Sequence, residues 1–174
     1  MVNRMSKHKV FISHYHADDE KVNEFIEYFC NKKDVFIPKI VGDDYDTTID
    51  SEDSEYIMRR IREDYLTDST VTIVLIGSDT HKRKYVDWEI ASTIRNDENN
   101  KRSGLIGIYL PNKSNSEVPP RLQDNVDCGY AKVYSYPSYD PDTLEKWIDE
   151  AYDKRNDDYC KVDNSRVLFK YNRS

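Results

Sequence analysis

Hydrophobic and polar positions along the chain fall into two kinds of block. Short runs dense in Val, Ile, Leu and Phe stand between longer stretches whose apolar residues recur every three or four positions. The short runs are HKVFIS (His8 to Ser13), DVFIPKI (Asp34 to Ile40), TVTIVLIG (Thr70 to Gly77), GLIGIYL (Gly104 to Leu110) and AKVYSY (Ala131 to Tyr136). Their length and β-branched content predict five strands. TVTIVLIG is apolar at nearly every position, as expected of a central parallel strand covered on both faces. Pro38 cannot donate to a ladder and keeps the second strand short.

Helical spacing fills the gaps. Val22, Phe25, Ile26 and Phe29 follow Asp18, a predicted N-cap. Ile57, Ile61 and Tyr65 recur at steps of four, the segment Tyr85 to Arg95 is a third helix, and Pro141 opens a closing helix through Lys154. The acidic stretch Val41 to Ser54 and the polar stretch 112–130, with Pro119 and Pro120, lack periodicity and are predicted as loops. Strands alternating with helices predict one α/β domain of flavodoxin-like element order, with a five-stranded, mainly parallel sheet and helices on both faces. It spans residues 1–155, and a polar tail follows over 156–174, with Val167 to Phe169 as a docking segment. In such sheets ligands bind beyond the carboxyl ends of the strands. The loops after Ser13, Ile40, Gly77 and Leu110 are therefore the candidate binding loops.

Composition narrows the function. A length of 174 residues suits one domain, and 37% hydrophobic against 34% charged residues implies a modest core under a very polar surface. A net charge of -7 argues against nucleic acid as a partner. No apolar run approaches the ~20 residues that span a bilayer, and the start lacks an apolar leader segment, so no membrane association is expected. Cys30, Cys128 and Cys160 have no CxxC spacing and fit free thiols in a reducing, cytoplasmic setting. With five glycines and no GxGxxG, GxxxxGK[ST] or GxSxG, the common phosphate cradles and the hydrolase elbow are absent.

Three clusters remain. Ser13, His14, Tyr15 and His16 end the first strand, either as polar loop residues or as ligand contacts. His14, His16 and His81 lack a spacing that fixes a zinc geometry, so no metal is expected. Lys82, Arg83 and Lys84 form either a solvated basic loop or a phosphate contact. In the third helix, Val86, Ile90, Thr93 and Ile94 make one stripe facing the sheet. Tyr85 and Glu89 lie one turn apart on an adjoining stripe, with Trp88 beside them and Ser92 continuing it. Glu89 thus borders the core near a helix N-terminus, where the macrodipole favours an anion. A structural carboxylate and a catalytic one are equally consistent with that position.

HKVFISHYHADD resembles the first-strand box of TIR domains. DSTVTIVLIGSDTHKRKYVDWEIASTI is similar to the bacterial TIR-like proteins of the Thoeris anti-phage system. In catalytic TIR domains a Trp-x-x-x-Glu spacing carries the catalytic glutamate; here it is Tyr85-x-x-x-Glu89, tyrosine replacing tryptophan. The resemblance covers about residues 8 to 155 and implies a TIR fold. It also implies cleavage of NAD at the nicotinamide–ribose bond, with Glu89 catalytic, NAD as substrate and no cofactor. Ser13, His14, Tyr15 and Ser78 would face the dinucleotide, and Tyr85 or Trp88 would pack against a ring. Contact of Lys82, Arg83 or Lys84 with the pyrophosphate is inferred from charge and position and is no part of the family motif. The implied product is a cyclic ADP-ribose isomer, a diffusible messenger that activates a separate NAD-depleting effector. The competing expectation is a non-catalytic TIR-like module that acts by association, as a homo-oligomer.

Overall fold

The computed structural model describes residues 7–40, 53–96, 101–157 and 159–174. Within these residues five strands form, β1 (Lys9–Ser13), β2 (Ile37–Ile40), β3 (Val71–Ile76), β4 (Gly104–Tyr109) and β5 (Lys132–Tyr134). They pair in the order β2-β1-β3-β4-β5, and every pairing is parallel. The chain is thus a single α/β domain with the doubly wound strand order of flavodoxin-like folds. β2 lies at the sheet edge, the place where Pro38 costs no ladder bond.

Among the described residues five α-helices surround the sheet: α1 (Asp19–Ile26), α2 (Ser54–Asp64), α3 (Lys84–Ile94), α4 (Pro120–Asp127) and α5 (Pro141–Lys154). A π-helical turn, Glu27–Lys32, extends α1 and buries Phe29 and Cys30. The Asp53 carboxylate caps α2 by accepting from the Glu55 and Tyr56 amides. The Asp140 carboxylate does the same for α5 at Thr143. Most of the predicted acidic loop, 41–52, lies outside the described residues.

Period-two alternation sorts the strand residues onto two faces. Val10, Ile12, Ile73, Leu75, Ile106 and Ile108 pack against α1 and α5 through Val22, Phe25, Phe29, Leu144 and Ile148. Val74, Ile76 and Leu105 meet Val86, Ile90 and Ile94 of α3 and Leu122 of α4. Phe11 joins Ile57, Ile61, Leu66 and Trp88 in a third cluster between α2 and α3.

The stretch 112–130, predicted as a loop, contains α4. Pro120 stands at the start of the helix, where a missing N–H is harmless. Leu122 is buried, Val126 packs against the same cluster, and buried Arg121 and Asn125 bond to Asp87 and Asp163, distant in the chain. Polar residues at those inward positions hid the helical period.

The tail crosses this face of the domain. Arg166 forms a two-bond ion pair with Asp124, and the Asn125 amide bonds both backbone groups of Asp163. Asn164 bridges Arg121 and the Ala91 carbonyl. Phe169 is buried while Val167 stays exposed. The segment ends against the start of α3, where the Asn172 side chain accepts from the Lys84 amide at 2.9 Å.

Candidate active site

The strand order reverses between β1 and β3, and a doubly wound sheet opens its ligand crevice at the carboxyl ends of such a pair. β1 ends at Ser13, whose side chain shares the α3 face with Phe11. The Ser13 hydroxyl donates to Glu89 Oε1 at 3.0 Å. Ser13 is fully buried and Glu89 is 5% exposed.

α3 is buried on every side from Val86 to Ile94, and Glu89 is enclosed rather than bordering the core. The sheet covers one side, α2 and α4 cover the flanks, and the tail covers the rest. Thr72 of β3 and Thr93 share a hydrogen bond at 2.9 Å, and Thr93 also donates to the Glu89 carbonyl at 2.8 Å. The Arg62 guanidinium points at the Ser92 and Thr93 carbonyls, favourable charge for a helix C-terminus. Asp87, on the same helix, forms a fully buried ion pair with Arg121, Nε to Oδ1 at 2.9 Å, and accepts from the Phe169 amide at 2.9 Å.

The loop residues assemble unevenly. Arg83 lies over the Tyr15 ring at 4.2 Å, which joins the basic loop to the loop after β1. Lys84 sits over Tyr85 at 5.0 Å and Trp88 at 5.4 Å, and those two rings meet edge to face at 5.2 Å. Trp88 is 5% exposed and its indole N–H donates to the Phe169 carbonyl at 2.8 Å. Its ring area is therefore spent on packing, whereas Tyr85 is only half-buried. His14 pairs with Asp19 at 2.8 Å. Lys82 bonds Asp79 at 2.9 Å, and this bond holds the Asp79 carboxyl below its ordinary pKa. Ser78 is exposed and accepts from Lys113 at 2.9 Å. His81 pairs with Glu117 at 3.3 Å. Among the described residues no group of three or more His, Cys, Asp or Glu side chains gathers as a metal site would require.

Asp18, expected from the sequence to cap the first helix with its side chain, does something else. Asp18 is the N-cap of α1 but makes no side-chain cap bond. Its carboxylate lies against Gly77 at the end of β3, so closely that a Cβ there would come within 2.2 Å of Oδ2. Oδ2 is buried without a hydrogen-bond partner. Burial pushes the Asp18 pKa up, opposed by the positive charges of Lys113 and His14. The available signal was a glycine directly after the central strand.

This assembly is a parallel α/β domain with a buried, hydroxyl-braced carboxylate at its switch point and cationic loops beside it. Residues 11–115 match the family model described as "Thoeris protein ThsB, TIR-like domain", and the chain belongs to that family. A search of curated proteins found no match. Among the described residues no helix is long and apolar enough to cross a membrane.

Proposed function

We propose that this protein cleaves NAD between nicotinamide and ribose, with Glu89 as the catalytic carboxylate, and acts in anti-phage defence. The observation that carries this reading is the Ser13–Glu89 hydrogen bond at the β1–β3 switch point of a Thoeris TIR-like domain. In NAD the nicotinamide is a cationic ring that departs neutral, so the leaving group needs no protonation. An ordinary glycosidase must supply an acid for that step. What remains is positive charge developing on the ribose, which a carboxylate shielded from water offsets strongly. Arg83 on Tyr15 and Lys84 beside Tyr85 put positive charge near the same loops, suited to the pyrophosphate. His14, Tyr15 and Ser78 stand at the carboxyl edge as candidate contacts for the rest of the dinucleotide. Trp88 acts through packing.

The product proposed is a cyclic ADP-ribose isomer. Ring closure needs an internal nucleophile over the anomeric carbon and exclusion of water, since hydrolysis competes. The released messenger then activates a separate NAD-depleting effector. Incubation of the purified protein with NAD, followed by mass spectrometry, tests this reading. A cyclic product is lighter than ADP-ribose by one water. Equal nicotinamide release by wild type and Glu89→Gln eliminates the proposed role of Glu89.

One observation favours a non-catalytic assembly role. The edge strand β2 exposes Ile37 and Ile40, and an apolar edge is a template for pairing with a second copy. On that reading Glu89→Gln retains phage protection, while Lys at Ile37 and Ile40 abolishes it.

A further inference from the structure

At the end of the sheet opposite Glu89, the lead-in to β4 meets the ends of α3 and α5 and the start of the tail. Together they border a half-open cavity of about 220 Å³. Lys101, Arg102, Arg155 and Lys161 line it with the amides of Asn96 and Asn156. Among the described residues no carboxylate lines it. In a chain of net charge -7, four cations around one small cavity do not follow from composition.

Their bonding leaves the charge in place. Arg102 donates through Nε to the Arg155 carbonyl at 3.1 Å and through Nη2 to the Asp157 carbonyl at 3.0 Å. Lys101 Nζ donates to Asn156 Oδ1. These acceptors are neutral oxygens, which position a cation without cancelling it. The Arg155 guanidinium lies over the Tyr152 ring at 4.0 Å, and its buried Nε has no hydrogen-bond partner. Helix C-termini attract cations, and α3 and α5 both end here. Each contributes about half a negative charge, so the two helices balance about one cation in four.

We propose that this cavity binds a phosphate group, either as the free ion or as the monoester of a nucleotide. Guanidinium and ammonium donors match the charge and oxygen geometry of phosphate. The volume lies below the usual range of about 300–1,000 Å³ for whole drug-sized ligands, and so suits the anionic group itself. A bound phosphate would tie the end of α3, through Asn96, to the start of the tail, through Lys161.

Titration calorimetry on the full chain at low salt tests the site with inorganic phosphate, with AMP, and with sodium chloride at matched ionic strength. The expected result is one saturable site for phosphate that chloride does not reproduce. Lys101→Gln and Lys161→Gln, both exposed positions, each weaken it about tenfold, the value of one charge-assisted hydrogen bond. Tighter binding of AMP than of phosphate supports the site with a nucleotide as the source; equal or weaker binding supports it with the free ion. Saturable heat from neither anion, or unchanged affinity in a Lys101→Gln/Lys161→Gln variant with wild-type unfolding midpoint, overturns the proposal. None of these readouts involves NAD turnover, so this result stands apart from that for Glu89.

Discussion

The Ser13 hydroxyl donates to Glu89 across 3.0 Å, joining residues 76 positions apart in the sequence. The bond connects the end of β1 to the middle of α3 and fixes where the carboxylate stands. Both partners are buried, so water cannot take over the role of either.

Ser13→Ala removes that bond and leaves Glu89 less constrained. Stability should fall by about 1 kcal/mol in urea unfolding. Nicotinamide release should fall further, by roughly tenfold or more, because a misplaced catalytic group is costly even at small displacement. Loss of stability with full activity would assign Ser13 to the core alone.

Asp87 and Arg121 form an ion pair with 2% and 1% side-chain exposure. Arg121→Met leaves a buried carboxylate uncompensated and should cost about 3–5 kcal/mol by chemical denaturation. Asp87→Leu combined with Arg121→Met should recover much of that loss, since no charge is then stranded. A double variant no more stable than the single ones would mean that the Asp87 contact with the Phe169 amide dominates instead.

The tail supplies the cap that α3 lacks. Arg83 is the N-cap residue but makes no side-chain cap bond, and Asn172 accepts from the Lys84 amide in its place. Asn172→Ala should lower the thermal midpoint by the equivalent of about 1 kcal/mol. Asn172→Asp keeps the acceptor and should hold near wild type. Equal loss in both would show that the cap is not what the residue contributes.

Asp18 predicts an unusual pH response. Its pKa is raised in the folded state, chiefly by burial. The folded protein therefore binds a proton more tightly than the unfolded chain. This group's contribution is fully present below the ordinary value of 3.8 and is lost as pH rises through the raised value. Asp18→Asn should be more stable than wild type at neutral pH, with the difference shrinking on acidification through that window. Denaturation midpoints for both proteins across mildly acidic pH check the sign. Gly77→Ala gives a second handle, since its Cβ meets the Asp18 carboxylate; combined with Asp18→Ser, the penalty should shrink.

Much of this arrangement was legible in the residues. The run from Val71 to Ile76 is buried at every position, as its nearly continuous apolar content predicts, and the one polar residue, Thr72, bonds Thr93. Glu89 was expected at the edge of the core because Val86, Ile90 and Ile94 define the inward stripe of α3. Periodicity sees only that stripe. The other sides of the helix are covered by α2, α4 and the tail, and the tail binds α3 largely through backbone groups of Phe169 and the side-chain amides of Asn164 and Asn172. Such contacts leave no apolar period. α4 was missed because its inward face carries Arg121 and Asn125, whose partners lie far along the chain.

The strap of tail residues across α3 has a kinetic consequence. Lys84 and Asn172 are 88 positions apart, and Trp88 and Phe169 are 81 apart. Such contacts close large loops, and their entropy is lost before the bonds compensate for it. The sheet can pair before the strap arrives, so the helix bearing Glu89 should be the last part to become protected from amide exchange. A single proteolytic cut between Arg166 and Asn172 should loosen that helix while leaving the strands intact.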